Sequence, residues 1–483
     1  MDDLSRKQPR GRSGGRSPKG TARARPENPA PEPPVEQKVS KRKIDWGAYG
    51  RGPIVLLALV AFIDSVDRGI LPGVLSLVQD DLGFNDTQAG FLGSIFIITS
   101  LAITVPAGYF ADRMQRTRVI AVVLASWGAI SALNATVVSY WQFMAVRGAL
   151  GVGETIDNPS SASLISDYYP ATLRPRAYAY QRVAPTVGMA IGLGIAGVVG
   201  DALGWRAAFL IVGVPGSLLA LAVLRMREPK RGESDSHVDA GEGGAILEAA
   251  TRRGWSVLWP EIKAVAAVPS LRALMIGSAI SAGALSGFGF WAAEFYERHT
   301  NLTVGESGGV VGVVILVGAI AGTILGGRAA GRARSRDVGA PMRLAGTTQA
   351  IAAAIFFFSF FPVPIWVRLP AHIVGVAFVV AAFPALTAMI SEVVPATVRG
   401  IAFSVSGLLG ALISAASPPL TGWIGERFPI TVDGRSTGNL AIAFAIVTPL
   451  ILIGSLVVLN GRRHVEKDIG GVGALAAKLA ARG

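Results

Sequence analysis

Apolar positions in this chain run in long, nearly unbroken stretches instead of the alternation or one-sided stripe that water-soluble strands and helices show. A helix needs about 20 apolar residues to cross a hydrocarbon core. Twelve stretches meet that length, at roughly 53–79, 88–110, 117–138, 141–166, 177–200, 206–226, 270–296, 306–330, 340–361, 364–390, 399–424 and 439–460. They are expected as twelve transmembrane helices, spans 1 to 12. Residues 1–50 are rich in Arg, Gly, Pro and Ser and have no periodic apolar face, the pattern of a disordered tail. Their first ~40 positions also lack the apolar core of a signal peptide. A polar linker, 227–269, divides a first six-helix half (51–226) from a second (270–460), and 461–483 forms a C-terminal tail. Within that tail Leu475, Ala477 and Leu479 among Lys478 and Arg482 suggest a short interfacial helix.

Composition agrees with this pattern: 51% of the 483 residues are hydrophobic and only 16% charged. Soluble proteins carry about 25% charged residues. The formal charge of +13, from 45 Lys and Arg against 32 Asp and Glu, invites a nucleic-acid reading. Sorting by loop changes its meaning. The tails and the even-numbered loops hold 37 of the 45 basic residues, and the odd-numbered loops hold five, Arg206, Arg298, Arg368, Arg427 and Arg435. The positive-inside rule then puts both termini in the cytoplasm of a multi-pass cell-membrane protein. The basic tail has no interleaved stacking aromatics, so anionic lipid is its expected contact and nucleic acid is not. With no cysteine, disulfides and thiolate chemistry are excluded. The four scattered histidines make no metal set. The glycine-rich run 305–312 lacks the Lys-Ser/Thr of a phosphate loop, which argues against ATP-driven work. No nucleophile–base pair appears, so neither an enzyme nor a cofactor is expected.

The second half repeats the first. Ser166-Asp167-Tyr168-Tyr169-Pro170-Ala171-Thr172-Leu173-Arg174 returns as Ser391-Glu392-Val393-Val394-Pro395-Ala396-Thr397-Val398-Arg399, at an offset of 225. Gly90, Gly93, Gly108 and Arg113 return as Gly309, Gly312, Gly327 and Arg332, at an offset of 219. Parallel repeats of this kind flank a central site and rock about it. The loop Gly108-Tyr-Phe-Ala-Asp112-Arg113-Met-Gln-Arg116-Thr-Arg118 resembles the signature loop of the major facilitator superfamily, and Arg147-Gly-Ala-Leu-Gly151-Val-Gly153 its second motif. Asp67-Arg68 in span 1 and Gly151-Val152-Gly153-Glu154 in span 4, followed by Ile165-Ser166-Asp167, resemble the spinster subfamily of proton-linked lysolipid exporters. The chain departs from these patterns at Gln115, where the signature loop has glycine, at Gly331, the repeat of Asp112, and at Asp64, where spinsters often carry a neutral amide. The resemblance implies an all-α, twelve-helix facilitator fold in two pseudo-symmetric halves. It also implies that Asp112, Arg113 and Arg116 form a cytoplasmic gate that does not touch substrate.

Charges at bilayer depth are costly and face a cavity or one another. Here they are Asp64, Asp67, Arg68, Arg147, Glu154, Asp157, Arg182 and Glu294. At about 1.5 Å per residue, Asp67 and Arg147 fall at matching depth, and Glu154 lies roughly 10 Å nearer the cytoplasm on the face of Arg147. Burial disfavours a carboxylate's charge and a nearby arginine favours it, so alternating access could toggle Asp67 or Glu154. Asp64 adds a third candidate proton carrier. Arg147, Arg68, Arg182 and Asp157 are candidates for charge pairing or headgroup binding. Alternatively, these charges are static ion pairs that lock spans 1 and 4. The glycines Gly188, Gly192, Gly194 and Gly197 with Pro185 read as close-packing and bending positions on span 5.

By the same offsets, Asp67, Arg68, Arg147 and Glu154 align with Ser286, Gly287, His372 and Val379. Span 7 instead offers Phe288, Phe290, Trp291 and Phe295, with Glu294, as an apolar cavity wall. One charged and one aromatic wall suits an amphiphile, so the expected cargo is a lysophospholipid-like molecule moved with protons by a monomer among membrane lipids. A facilitator of small organic anions or drugs, and a non-transporting receptor or scaffold, are the competing readings.

Overall fold

The computed structural model describes residue 46 and residues 49–170, 173–230, 233–234, 255–432 and 434–480, with backbone alone at 105–113, 154–156, 158–159, 175, 255–258, 396, 478 and 480. Residues 1–45, 47 and 48 of the expected tail 1–50 and about half of the linker 227–269 lie outside the described residues.

Every apolar stretch is helical. Span 1 divides into α1 (Gly52–Gly73) and α2 (Leu75–Leu82), with Val74 leaving the helical region just after Pro72. Proline removes a backbone donor and crowds the preceding turn, which accounts for the break. The first half continues through α3 (Asp86–Arg113), α4 (Arg116–Leu133), α5 (Tyr140–Tyr168), α6 (Arg174–Leu203) and α7 (Trp205–Leu224). A short α8 (Trp255–Ala266) lies in the linker. The second half comprises α9 (Pro269–Thr300), α10 (Val304–Arg334), α11 (Ala340–Ser359), α12 (Ile365–Glu392) and α13 (Arg399–Glu426), then α14 (Leu440–Val447) and α15 (Pro449–Gly470), which together make span 12. It ends on α16 (Val472–Ala480), where the sequence suggested a short helix. Two elements were not anticipated. One is α8. The other is an antiparallel hairpin of β1 (Pro429–Val432) and β2 (Arg435–Gly438), in which Val432 faces Arg435 and Pro429 faces Gly438.

Among the described residues, nine helical segments are long and apolar enough to cross a membrane. The helices α1, α5 and α11 fall outside that set; α1 carries Asp64, Asp67 and Arg68, α5 carries Arg147, Glu154 and Asp157, and α11 holds Arg343, Thr347, Thr348 and Gln349. The twelve helices are nevertheless arranged as two related bundles. Spans 1–5, 2–4, 3–6 and 3–4 pack as α1·α6, α3·α5, α4·α7 and α4·α5, and 7–11, 8–10, 9–12 and 9–10 repeat the scheme as α9·α13, α10·α12, α11·α15 and α11·α12. The bundles join chiefly through α3·α13 and α6·α10, a symmetric pair of contacts.

Small residues set the closest of these approaches. A Cβ on Gly69 of α1 would stand 2.8 Å from the backbone N of Leu193 on α6. Gly188 and Gly192 oppose the backbone of Phe62 and Val66 in the same seam, while Gly197 opposes Val304 of α10. Helix association within lipid depends on such close packing, since no hydrophobic gain drives it.

The end where α1 begins is called the termini face below, and the end where α3 begins the far face. Gly69→Leu should destabilise the protein by about 1–3 kcal/mol through overpacking. Gly410→Leu, where nothing lies within 4 Å of an added Cβ, should not. Thermal unfolding of the purified variants in detergent checks this; equal melting temperatures would contradict the packing account.

Candidate functional site

Helix α1 aims its charged residues in two directions. Asp67 turns inward and is only 2% exposed. Its carboxylate accepts a hydrogen bond from Ser131 Oγ of α4, and its Oδ2 lies 3.8 Å from Nη1 of Arg147 on α5. The two charges that matched in depth are therefore brought together inside the first half, between spans 1, 3 and 4. At 3.8 Å the pair is an ion pair without a hydrogen bond. Arg147 Nε and Nη1 are buried and have no hydrogen-bond partner among the described residues. Buried guanidinium donors are nearly always satisfied, so two donors without a described acceptor beside an acid are chemically able to bind an anion.

Asp64 and Arg68 lie one turn apart on another face of α1, joined at 2.6 Å. The Arg68 guanidinium rests over the Phe96 ring of α3, 5.4 Å from its centroid. Asp157 of α5 accepts a hydrogen bond from Ser161 Oγ at 3.2 Å. Arg182 of α6 is exposed and forms no ion pair with a described residue. The side chains of Glu154, Asp112 and Arg113 lie outside the described residues.

Arg116 does not reach across the halves in this conformation. It is buried in the first half at the termini face, bonded to Asp167 and Ser163 of α5, and by Nε to Glu228 beyond α7 at 2.9 Å. Burial pushes the Glu228 carboxyl up, but the hydrogen bonds from the Thr117 backbone N–H and from Arg116 outweigh it and hold it below the usual range.

The expected aromatic cavity wall needs correction. Phe288 and Phe295, seven residues apart, share a helix face that turns into the second half and packs on Phe356, Phe360, Phe444 and His372. Trp291 is fully buried and donates to Pro418 O at 2.9 Å, and Phe290 lies against Gly93 of α3. Glu294 stands at the far face, 2.8 Å from Arg298 Nε. Composition showed that span 7 is aromatic; it did not show which face those rings occupy.

Sequence reasoning missed Ser131 and Phe96. Depth matching could have found Ser131, which lies 15 residues into α4 and so about 22 Å from the termini face, close to Asp67. It also missed the far-face contacts between halves. Asp86 of α3 bonds Arg298 of α9, Thr87 bonds Glu426 of α13, Ser76 of α2 bonds Glu297, and Asp201 of α6 accepts from Gly305 N–H of α10. A further hydrogen bond, Ser94 Oγ to Ala415 O, lies about 12 Å in from that face. All polar contacts between described residues of the two halves fall in this region. The far face is closed.

Two related helix bundles, joined at one end around charges at membrane depth, make a fold of two pseudo-symmetric halves. A family model described as Major Facilitator Superfamily matches residues 57–418. The chain belongs to that superfamily, and spinster proteins of fly and human are among its relatives. It is 29% identical over 168 residues to the "Probable L-galactonate transporter" of Escherichia coli K12, covering 35% of this chain and 37% of that one. It is 26% identical over 255 residues to the "Sphingosine-1-phosphate transporter SPNS2" of Danio rerio, covering 51% and 48%. The matches thus span about a third to a half of these relatives' own length. A crystal structure of a bacterial homologue of the human lysosomal transporter spinster superposes with a TM-score of 0.76 at 22% identity, over 86% of this chain and 97% of that one.

The Glu228 clasp has a pH signature. Because its folded pKa is lowered, its stabilisation is complete above the ordinary glutamate value of about 4.3 and fades as pH falls through the folded value. Glu228→Gln should therefore melt below wild type at pH 7, with the gap closing below about pH 4. A gap that stays constant with pH would contradict the assignment.

Proposed function

We propose that the protein is a spinster-like secondary transporter that moves lysophospholipid-like amphiphiles by alternating access, with protons coupled through Asp67 and Glu154. The observation that carries the reading is the buried Arg147, whose Nε and Nη1 lack partners beside Asp67. An incoming phosphate gives those donors acceptors and competes with Asp67 for the guanidinium. Protonation of Asp67 removes the competitor, so proton and anionic headgroup occupy the site together without leaving a net buried charge. Arg68, Arg182, Asp64 and Asp157 supply further charge around the headgroup. Lysine and arginine distribution puts both termini in the cytoplasm, and the closed far face is then the outer one.

The relative whose name specifies sphingosine-1-phosphate, a phosphate-bearing amphiphile, supports this substrate class. The relative named for L-galactonate favours a second reading, a carrier of small organic anions.

Proteoliposomes loaded with radiolabelled lysophospholipid, with labelled L-galactonate in parallel, separate the two. We expect lysolipid flux that rises with an imposed pH gradient. Asp67→Asn should cut gradient-driven flux at least about tenfold, the effect of losing ~1.4 kcal/mol. Arg147→Ala should cut it further, since it strands a buried carboxylate at a cost of about 3–5 kcal/mol. Deleting residues 1–45 should leave flux intact; its loss would favour the receptor or scaffold reading. Flux indifferent to the gradient, or confined to galactonate, would overturn the proposal.

A further inference from the structure

The far face holds more buried negative charge than its cations neutralise. Arg298 on α9 donates through Nη1 and Nη2 to both oxygens of Asp86 on α3, at 2.7 and 2.8 Å. The same guanidinium donates through Nε to Glu294 Oε1 at 2.8 Å. All three side chains are only about 5% exposed. One guanidinium is thus shared by a carboxylate of its own helix and a carboxylate across the seam between the halves. Glu294 Oε2 is shut off from water and has no hydrogen-bond partner among the described residues, although the residue lines a far-face cavity of about 830 Å³.

Among the described residues no second cation is at hand. Arg435, on β2, is engaged by Asp80 of α2. The other charged groups around the cavity are acids. Glu297, one turn along α9, accepts from Ser76 Oγ at 2.9 Å; Asp201 of α6 and Glu426 of α13 are held by Gly305 and Thr87. His299 is turned away, stacked on Phe295 and facing Asn439. With Glu294 ionised, the Asp86–Arg298–Glu294 group carries a net negative charge on side chains that are almost fully buried, which low-dielectric surroundings penalise. A proton on Oε2 makes the group neutral and leaves the bond from Arg298 to Oε1 in place.

We propose that Glu294 is a second proton-binding site, separate from Asp67, and that its protonation holds the two halves together at the far face. Loss of the proton leaves an uncompensated charge on an oxygen shut off from the neighbouring cavity, and parting the seam exposes that oxygen to water. Acid on the far side therefore closes this end of the molecule, and alkali opens it. Arg298 and Asp86 serve as the clasp, and Glu294 sets its strength.

The absence of native cysteine makes the test direct. Val138→Cys, on the connection before α5, and Trp366→Cys, in the first turn of α12, introduce labelling sites 73% and 74% exposed at the far ends of the two halves. Spin-labelled full-length protein in lipid nanodiscs, without substrate, is read by double electron–electron resonance at pH 5 and pH 8.5. The expected result is a short distance at pH 5 and a longer population, several-fold larger, at pH 8.5. Glu294→Gln should keep the short distance at both pH values, and Glu294→Asp should respond with a shifted midpoint. A parent distribution that ignores pH would overturn the proposal. So would a Glu294→Gln protein that opens like the parent, or, should that variant not fold, an unshifted midpoint in Glu294→Asp.

Discussion

Ionised groups in a membrane interior must find partners within the protein, because no water is there to solvate them. The arrangement of the first half follows from this one cost. Asp67 lies where three helices meet, and each supplies something: α1 carries the acid, α4 the Ser131 hydroxyl, α5 the Arg147 guanidinium. The pair is close enough to neutralise each other but too far apart for a hydrogen bond, and Arg147 keeps two donors open. A fully satisfied bidentate pair would be a structural staple. This one is under-satisfied, and groups of that kind respond when an anion or proton arrives.

The second half solves the same position differently. The repeat aligns Arg147 with His372, and His372 is fully buried with neutral partners, Tyr296 OH at Nδ1 and Ser359 Oγ at Nε2, each at 2.8 Å. Phe288, Phe295, Phe356 and Phe360 close around it. One copy of the repeat thus keeps charge near the centre, and the other has exchanged it for a packed aromatic block. Such a block resists deformation, which suits a body that moves as a unit against its partner.

The hydropathy pattern carried most of the fold, because a span must be apolar throughout and its length is set by the bilayer. It missed the hairpin at 429–438, whose four-residue strands leave no periodic signal. It also stopped span 12 near residue 460, whereas the helix continues to Gly470 through charged residues that lie beyond any apolar stretch. For the site, rise per residue was enough to match Asp67 with Arg147, since depth is a one-dimensional quantity. It was not enough for Phe288 and Phe295, whose placement depends on how α9 is rotated about its axis. Rotation is set by neighbours, and the partners of those rings come from α11, α12 and α14, far away in sequence. Arg298 and Asp86 were likewise legible only as loop-end charges, because their pairing belongs to the seam between halves.

That seam and the central charges share a helix. On one side α6 takes α1 through Gly188 and Gly192, and nearer the far face it meets α10 through Gly197 and Asp201. Backbone-to-backbone packing without intervening side chains leaves little slack. A shift of α1 that accompanies a change at Asp67 therefore has to be absorbed in the α1–α6 seam or passed along α6 to the contact with α10. The glycines make absorption costly, because helices packed this closely cannot slide without collision. The break at Val74 gives α1 one free joint, beyond which α2 carries Ser76 and Asp80 into the far-face contacts. Charge at mid-membrane and closure at the far face are thus mechanically adjacent along two routes, one rigid through α6 and one hinged through α2. The alternating access proposed above needs both: a stiff body to rotate, and a compliant end that can release.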